Sequence, residues 1–200
     1  MLKEIKVVLI GHTLNDPVEI DLPENPMKAK ALLSLYNFTR VITKDNKLLD
    51  HVAYLKKKLK IPNEKTFSLW EMSLCAGLLL TSMLKRNGIN CKSFNFLSKE
   101  NEKQIFNEIE NYQPNIIGLS TTFVLTPKHF IEVTSNLRKK FPNSFIVCGG
   151  HHVFTSLLQM NNNAKKNYLI DSKADCFIND SQGEKALLEL VKNFNKDISP

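Results

Sequence analysis

Five short apolar runs recur along the chain, and patterns typical of helices separate them. Four of the runs are nearly continuous and rich in β-branched or aromatic residues, as are strands buried on both faces of a parallel sheet. The second alternates apolar and polar residues, which favours a strand near a sheet edge. The runs are IKVVLI at 5–10, INCKSFNFL at 89–97, NIIGLS at 115–120, SFIVC at 144–148 and ADCFI at 174–178.

Apolar residues spaced three or four positions apart predict helices between these strands. The segment 70–88 is apolar nearly all round, which predicts a central helix buried against the sheet and ended by Gly88. A short helix is predicted at 153–160, and the run NNNAKKN at 161–167 predicts a polar loop. The residues predicted to cap the starts of three further helices are Ser98, Thr126 and Ser181.

Alternation of strands and helices predicts an α/β fold with a doubly wound, Rossmann-like or flavodoxin-like sheet. Such a pattern gives parallel strands, right-handed crossovers and helices on both faces. We predict a five-stranded parallel sheet with the strand order 2-1-3-4-5. The whole chain, 1–200, is predicted to be a single domain.

The connection after the first strand is unusually long. About sixty residues separate this strand from the next strong helical pattern, whereas most connections in such folds are short. Leu32, Leu35 and Tyr36 mark one amphipathic helix, while Leu48, Val52, Leu55 and Leu59 mark another that Pro62 would stop. We therefore predict a helical insertion at 24–66 that packs on the domain or caps its site.

Composition narrows the class of protein. The net charge of +7 and the pI of about 9.2 come from lysines scattered over predicted helix faces, with no recognised nucleic-acid motif. The cysteines form no CxxC pair, and charged residues interrupt the first apolar run, so no signal peptide is recognised. The longest apolar run, 74–80, is too short to span a bilayer. These features predict a cytoplasmic protein with free thiols and without nucleic-acid or membrane partners.

Polar residues and glycines follow the ends of the predicted strands. In doubly wound sheets, ligands bind outside the carboxyl ends of the strands. The loops at that edge are 11–16, 120–126, 149–153 and 179–183, and their composition suits a polar ligand. The candidate binding residues are Gly11, His12, Ser120, Thr121, Thr122, Gly149, Gly150, His151, His152, Asn179, Ser181 and Gly183.

Three ligand classes of doubly wound folds fit this edge poorly. A phosphorylation receiver needs an aspartate after the third strand, where Ser120 stands. A dinucleotide site needs G-x-G-x-x-G after the first strand, and only Gly11 is present there. A flavin mononucleotide site needs a hydroxyl-rich phosphate loop, for which Thr13 alone is a weak signal.

The spacing of two motifs resembles that of cobalamin-binding domains. That family carries S-x-L, just under thirty further residues and then G-G; here 28 residues separate Ser120 from Gly149, with Thr122 in place of the leucine. The resemblance implies that Gly149 and Gly150 let the backbone approach the nucleotide tail of the cofactor closely. The hydroxyls of Ser120 and Thr122 would hydrogen-bond that tail.

The usual cobalt-ligand motif of the family, D-x-H-x-x-G, is incomplete. Its expected place is 72–78, which reads MSLCAGL and supplies Gly77 without the aspartate or the histidine. In this the chain resembles the amino-terminal domains of cobalamin-dependent radical S-adenosylmethionine enzymes. G-G-x-H at 149–152 and ADCFINDSQGEKALLEL at 174–190 also resemble that subgroup, although Ser181 and Gln182 depart from its G-E-G-E pattern.

This resemblance implies a binding module and not a catalyst. Such domains hold methylcobalamin or hydroxocobalamin and present it to a radical domain, commonly for methyl transfer. The iron–sulfur cluster and S-adenosylmethionine would lie on that partner, in cis or in trans, because no C-x-x-x-C-x-x-C motif occurs here. Two alternatives remain open: a stand-alone corrinoid carrier or sensor, and a flavodoxin-like module for a nucleotide or flavin.

The histidines and cysteines allow simpler interpretations. His12 sits where it can approach cobalt, but a solvent-exposed loop residue is the simpler interpretation. The family pattern makes His152 a hydrogen-bond donor lining the site, and its alternative is the start of a helix. His51 and His129 are predicted on helix surfaces. Burial against the sheet is the simplest interpretation of Cys75, and Cys148 and Cys176 are predicted as core residues.

Overall fold

The chain forms two compact units. A computed structural model describes residues 5–13, 19–36, 40–61, 75–99, 101–124 and 126–194. One unit comprises Met1–Asn15 and Ser73–Pro200, and the other comprises Asp16–Met72. In chain order the elements are β1 (Lys6–Ile10), β2 (Glu19–Asp21), α1 (Pro26–Tyr36), β3 (Arg40–Ile42), β4 (Lys47–Asp50), α2 (His51–Leu59), α3 (Cys75–Arg86), β5 (Asn90–Phe94), α4 (Glu102–Tyr112), β6 (Ile116–Ser120), α5 (Pro127–Lys140), β7 (Phe145–Gly149), α6 (His151–Gln159), α7 (Asn162–Ser172), β8 (Cys176–Ile178) and α8 (Glu184–Lys192).

The larger unit is a doubly wound α/β fold. Its five strands are all parallel in the order β5-β1-β6-β7-β8, which confirms the predicted order 2-1-3-4-5. Ser120 pairs with Gly149 in the register of β6 and β7. The last residues of these two neighbouring strands therefore meet at the carboxyl edge of the sheet.

Successive side chains along the strands point to opposite faces of the sheet and pack into two separate cores. On one face, Val8, Ile117 and Ile146 pack with buried residues of α4, α5, α6 and α7. On the other face, Val7 and Val147 pack with buried residues of α3 and α8. The sheet is thus covered on both faces, as predicted, and its near-continuous apolar runs follow from that double burial.

Helix α3 is less buried than the sequence predicts. It covers Cys75–Arg86, and its buried residues are Thr81 and Leu84, while 70–74 of the predicted helix are outside the described residues. Leu78 and Leu79 are 57% and 56% exposed, so the prediction of burial nearly all round is wrong. A helix lying on the outer face of a sheet buries one stripe only, whatever the composition of its other side.

Two of the three predicted helix caps are wrong. Thr126 caps α5 as predicted, and its hydroxyl accepts a hydrogen bond from the backbone N–H of His129 (3.3 Å). Helix α4 has Asn101 at its N-cap in place of Ser98, and α8 has Gly183 in place of Ser181. Both helices start two or three residues later than predicted because the preceding polar residues form turns of their own.

The predicted polar loop at 161–167 is largely helix α7. Asn161 caps this helix by accepting a hydrogen bond from the N–H of Ala164 (2.9 Å), and its inner face buries Tyr168 and Ser172. The short helix predicted at 153–160 is α6, which begins two residues earlier, at His151. The asparagines that indicate a loop in the sequence instead supply a cap and a solvated helix face.

The smaller unit combines helices with a small sheet. The two predicted helices are present as α1 and α2, but β2, β4 and β3 also form an antiparallel sheet that the sequence did not predict. Leu48, predicted to mark the second helix, lies on β4 and is buried together with Leu49. Asp50 ends that strand and caps α2, its carboxylate accepting from the N–H of Val52 (2.9 Å). Pro62, the predicted stop of this helix, is outside the described residues.

Within the described ranges, no helix is long and apolar enough to cross a membrane.

Asp175 ties β8 to the start of β7 and to α5. Its carboxylate accepts hydrogen bonds from the guanidinium of Arg138 and from the N–H of Ile146 (2.6 Å), and the Arg138 and Asp175 side chains are only 20% and 17% exposed. We expect Asp175→Asn to lower the free energy of unfolding by about 2 kcal/mol, because a charge-assisted, half-buried pair is lost. Urea denaturation measures this. Glu189→Gln, which removes an exposed pair with Lys185, should cost less than about 0.5 kcal/mol. Equal losses in the two variants would contradict the assignment.

Candidate functional site

A cleft opens at the carboxyl edge of the large sheet. Its volume is about 170 Å³, and it lies between the ends of the strands and helices α3 and α8. Its apolar wall is formed by Leu9, Ile10, Ala76, Leu80, Leu119, Val147, Ile178 and Leu187; its polar residues are Ser120, Thr122, Asp180, Ser181 and Glu184. This is the edge at which ligands of doubly wound sheets bind.

Glycine is strongly enriched in the lining of the cleft. All of the chain's seven glycines except Gly88 contribute to it. The lining glycines are Gly11, Gly77, Gly118, Gly149, Gly150 and Gly183. A ligand in the cleft would therefore meet backbone over much of its surface.

The local geometry requires glycine at the end of β7. Gly150 has φ of 110°, a conformation that side chains rarely adopt, and a Cβ there would lie 3.0 Å from Oγ1 of Thr122. A Cβ on Gly149 would lie 3.3 Å from Cβ of Ile178. The two glycines therefore allow β7, β8 and the loop after β6 to converge.

Gly77 has no such structural requirement. It is the third residue of α3, and a Cβ built on it would approach only Cα of Gly11, at 3.9 Å. Glycine inside a helix costs roughly 0.5–1 kcal/mol relative to alanine. The protein gains nothing evident from this glycine except the space that it leaves in the cleft.

Thr121 joins the ends of β6 and β7. Its N–H and its hydroxyl both donate to the carbonyl of Gly149, at 2.7 and 3.0 Å, and its Oγ1 accepts from the N–H of Val153 (3.2 Å). The residue is fully buried. Ser120 and Thr122 on either side place their hydroxyls 3.2 Å apart and line the cleft. Thr121 thus positions the loop, while its neighbours face the ligand.

The structure brings seven of the twelve predicted residues into the cleft. These are Gly11, Ser120, Thr122, Gly149, Gly150, Ser181 and Gly183. The other five lie outside its lining: His12, Thr121 and His152 are buried, whereas His151 and Asn179 are exposed. Four further residues line the cleft but were not among the predicted binding residues: Gly77, Gly118, Asp180 and Glu184. Gly77 could have been found as a glycine inside a predicted helix, whereas Gly118 lies in the middle of β6, where the sequence gives no signal of a binding role.

His12 is buried, so its interpretation as an exposed loop residue is wrong. Its ring stacks on Phe96 with a centroid distance of 5.6 Å and an interplanar angle of 20°. Phe123 meets it edge-on at 5.8 Å and 74°. The N–H of His12 also bonds to the carbonyl of Asn95 (3.1 Å), extending the pairing of β1 with β5. This pairing draws the residue inwards.

His152 belongs to the core on the opposite face of the sheet. It lies on the first turn of α6, and its Nε2 is 2.8 Å from the hydroxyl of Tyr168. Burial lowers the pKa of His152, and the neighbouring imidazoles of His151 and His129 lower it further. Burial also raises the pKa of Tyr168 to about 12. The pair is therefore neutral at physiological pH.

His129 is half-buried, and its prediction as a surface residue is incomplete. Its Nε2 lies 3.0 Å from the hydroxyl of Thr13, a nearly buried residue that follows β1. This contact joins the start of α5 to the loop after β1.

The cysteines are free, as predicted. Cys148 is buried, which confirms a core role, and burial raises its pKa and that of Cys176. Burial raises the pKa of Cys91 to about 11, so this thiol is protonated too. Cys75 is exposed at the start of α3, contrary to the prediction of burial, while the next two residues, Ala76 and Gly77, line the cleft. No cysteine lines the described cleft.

Charge in the cleft is negative. Asp180 and Glu184 contribute carboxylates, and no lysine, arginine or histidine belongs to the part of its lining that the structure describes. The basic side chains that give the chain its positive net charge therefore lie outside the described lining of this cleft.

Comparison with known proteins gives a structural resemblance but no match in sequence. No family model matches the chain, and no curated protein matches it. A 1.5 Å crystal structure of a novel cobalamin-binding protein from Desulfitobacterium hafniense DCB-2 is 15% identical, with a TM-score of 0.44. The match covers 94% of this chain and 59% of that one. This chain thus corresponds to little more than half of that protein.

His152 makes stability depend on pH. Because its pKa is lower in the folded state than in the unfolded chain, its contribution is present above about pH 6.5 and is lost as the pH falls towards the folded value. The loss approaches at most about 1.4 kcal/mol per pH unit in that window. Urea denaturation at pH 7.5, 6.5 and 5.5 measures it. His152→Gln should flatten the dependence, whereas exposed His151→Gln should keep most of it; an unchanged dependence in His152→Gln would refute this role.

Proposed function

We propose that this chain is a cobalamin-binding module. The cleft would hold the nucleotide tail of the cofactor, and the corrinoid would be presented to a radical S-adenosylmethionine domain in cis or in trans. The observation that carries the proposal is the glycine-lined cleft in which Ser120 and Gly149, the residues of the two family-like motifs, pair in register.

The described residues fit a flat heterocyclic group. Backbone at Gly149, Gly150 and Gly183 forms part of the lining, so a planar ring can approach the strands closely. Apolar side chains such as Leu119, Val147 and Leu187 cover the inner surface. The volume of about 170 Å³ suits a part of a ligand, since pockets for whole drug-sized ligands measure about 300–1,000 Å³.

The charge of the cleft disfavours the flavin and nucleotide alternatives. A phosphomonoester or a pyrophosphate would lie near Asp180 and Glu184 with no cation in the described lining. Phosphate sites of those classes rely on cationic side chains or on runs of backbone N–H groups. The start of α8 could supply such N–H groups, but its first residue, Glu184, places a carboxylate in the same lining. The tail of cobalamin carries only a phosphodiester, and the amide groups around its corrin can donate hydrogen bonds to the carboxylates.

The roles of the chain's own residues follow from their contacts. Ser120 and Thr122 would exchange hydrogen bonds with the tail, and Thr121 keeps their loop at the end of β7. Bound cobalamin supplies cobalt-centred chemistry, which in this proposal serves methyl transfer by the partner domain. The chain itself excludes water from the tail and fixes its orientation.

No described residue of the cleft is a histidine. Met72, Ser73 and Leu74, at the place of the usual motif, lie outside the described residues, and none of them can offer an imidazole. His12 is fully buried beneath Phe123 and Phe96. These facts support a module that holds the cofactor by its tail without a histidine at cobalt.

The proposal predicts retention of hydroxocobalamin through gel filtration, detected by its absorption bands. Gly77→Leu should reduce affinity at least tenfold in equilibrium dialysis, because its side chain enters the cleft. The same change should not lower the melting temperature, since leucine favours a helix by up to about 1 kcal/mol over glycine.

Gly88 supplies the matched control. It lies outside the cleft with φ of 74°, where asparagine is tolerated, so Gly88→Asn should bind normally. Flavin mononucleotide and NAD should not be retained by the wild-type chain. Absence of corrin bands, or retention of either nucleotide in their place, would refute the proposed function.

A further inference from the structure

A partly exposed phenylalanine directly follows a residue of the cleft lining in sequence. Phe123 directly follows Thr122, whose side chain lines the cleft, and it is 37% exposed. Burying a phenylalanine fully stabilises a protein by about 1.5–3 kcal/mol, so exposure at a loop tip forgoes part of that gain. Such exposure is ordinary for a single apolar residue, so the case for a ligand contact rests on where Phe123 stands and on what holds it there.

The loop holds Phe123 in place from both sides. Thr121 is fully buried and Val124 is 6% exposed, and the N–H of Val124 donates to the carbonyl of Thr121 (3.2 Å). This turn leaves Thr122 and Phe123 on the outside. The projection of Phe123 is thus fixed by anchored backbone.

Two further rings support Phe123 from below. His12 meets it edge-on at 5.8 Å, and the ring of His12 also stacks on Phe96 at 5.6 Å. The three residues follow the ends of β6, β1 and β5. They form a cluster of three rings, which we call the ring stack, at the carboxyl edge of three adjacent strands. Phe123 is its exposed member.

The size of the cleft decides where a macrocycle can lie. About 170 Å³ can hold a tail heterocycle, but the four-ring corrin is far larger. A corrinoid with its tail in the cleft must therefore place its macrocycle outside, over the strand ends. Thr122 lines the cleft, and Phe123 is the next residue of the same loop at that edge.

We propose that Phe123 contacts the face of the corrin macrocycle, and that His12 and Phe96 orient it for this contact. The inference rests on the proposed function. The chemistry is complementary, because a macrocycle with an apolar conjugated surface gains dispersion and loses water against an aromatic ring. His12 acts here as a positioning residue within the stack and not as a ligand of cobalt.

Two ligands separate contacts to the macrocycle from contacts to the tail. Cobinamide carries the corrin without the nucleotide, and hydroxocobalamin carries both. We expect Phe123→Ala to weaken binding of both ligands by roughly tenfold, the scale of an aromatic contact. Gly77→Leu should weaken hydroxocobalamin only. Equilibrium dialysis measures the dissociation constants.

Two further variants keep the experiment decisive. Phe123→Leu retains apolar volume and should lose roughly threefold in affinity, so it replaces Phe123→Ala if the latter fails to fold. Leu158→Ala removes an apolar side chain that is 65% exposed on α6, and it should bind like wild type. Melting temperatures verify that all variants are folded.

The outcomes distinguish the two proposals. If the wild type retains neither ligand, the proposed function fails. If the wild type binds hydroxocobalamin and both Phe123 variants bind it equally well, the contact of Phe123 with the macrocycle is refuted and cobalamin binding stands. If Phe123→Ala weakens hydroxocobalamin binding and leaves cobinamide binding unchanged, Phe123 contacts the tail, and its contact with the macrocycle is likewise refuted.

Discussion

The junction between the ends of β6 and β7 is the constraint on which the candidate site depends. Two hydrogen bonds from Thr121 to the carbonyl of Gly149 hold these ends together, and the N–H of Val153 ties the start of α6 to the same hydroxyl. This closeness brings Gly150 against Thr122 and requires its positive φ. The loop that displays Ser120, Thr122 and Phe123 is thereby fixed before any ligand arrives.

The two faces of the sheet have different consequences for function. On one face, Phe130, Tyr168 and Phe177 fill the space with ring contacts of 5.5–5.9 Å, and His152 is enclosed among them. On the other face, α3 presents Gly77 and Ala76 towards the strand ends and leaves a cleft. Both faces are packed by large apolar residues, and on the second face the small residues at the start of α3 leave the binding space.

The strands and the two glycines at the end of β7 could be predicted from the sequence, since β-branched runs and the pair Gly149-Gly150 are local signals. The strand order followed from the alternation of strands and helices. Burial of His12 could not, because it depends on pairing between β1 and β5 and on rings from two other loops. Exposure of Leu78 and Leu79 likewise depends on which helix face meets the sheet. The sheet of the smaller unit escaped prediction because its strands have only three or four residues.

Selection of a ligand by this cleft rests on shape more than on charge. A chain with a net charge of +7 attracts anions at long range, yet the described lining offers them two carboxylates and no cation. What the cleft does offer is backbone that a flat ring can approach, an apolar inner surface and a few hydroxyls. Affinity built on these contacts comes from buried apolar area and hydrogen bonds, which salt screens far less than it screens ion pairs. The lysines and arginines lie outside the described lining of the cleft, so they contribute little to this selectivity.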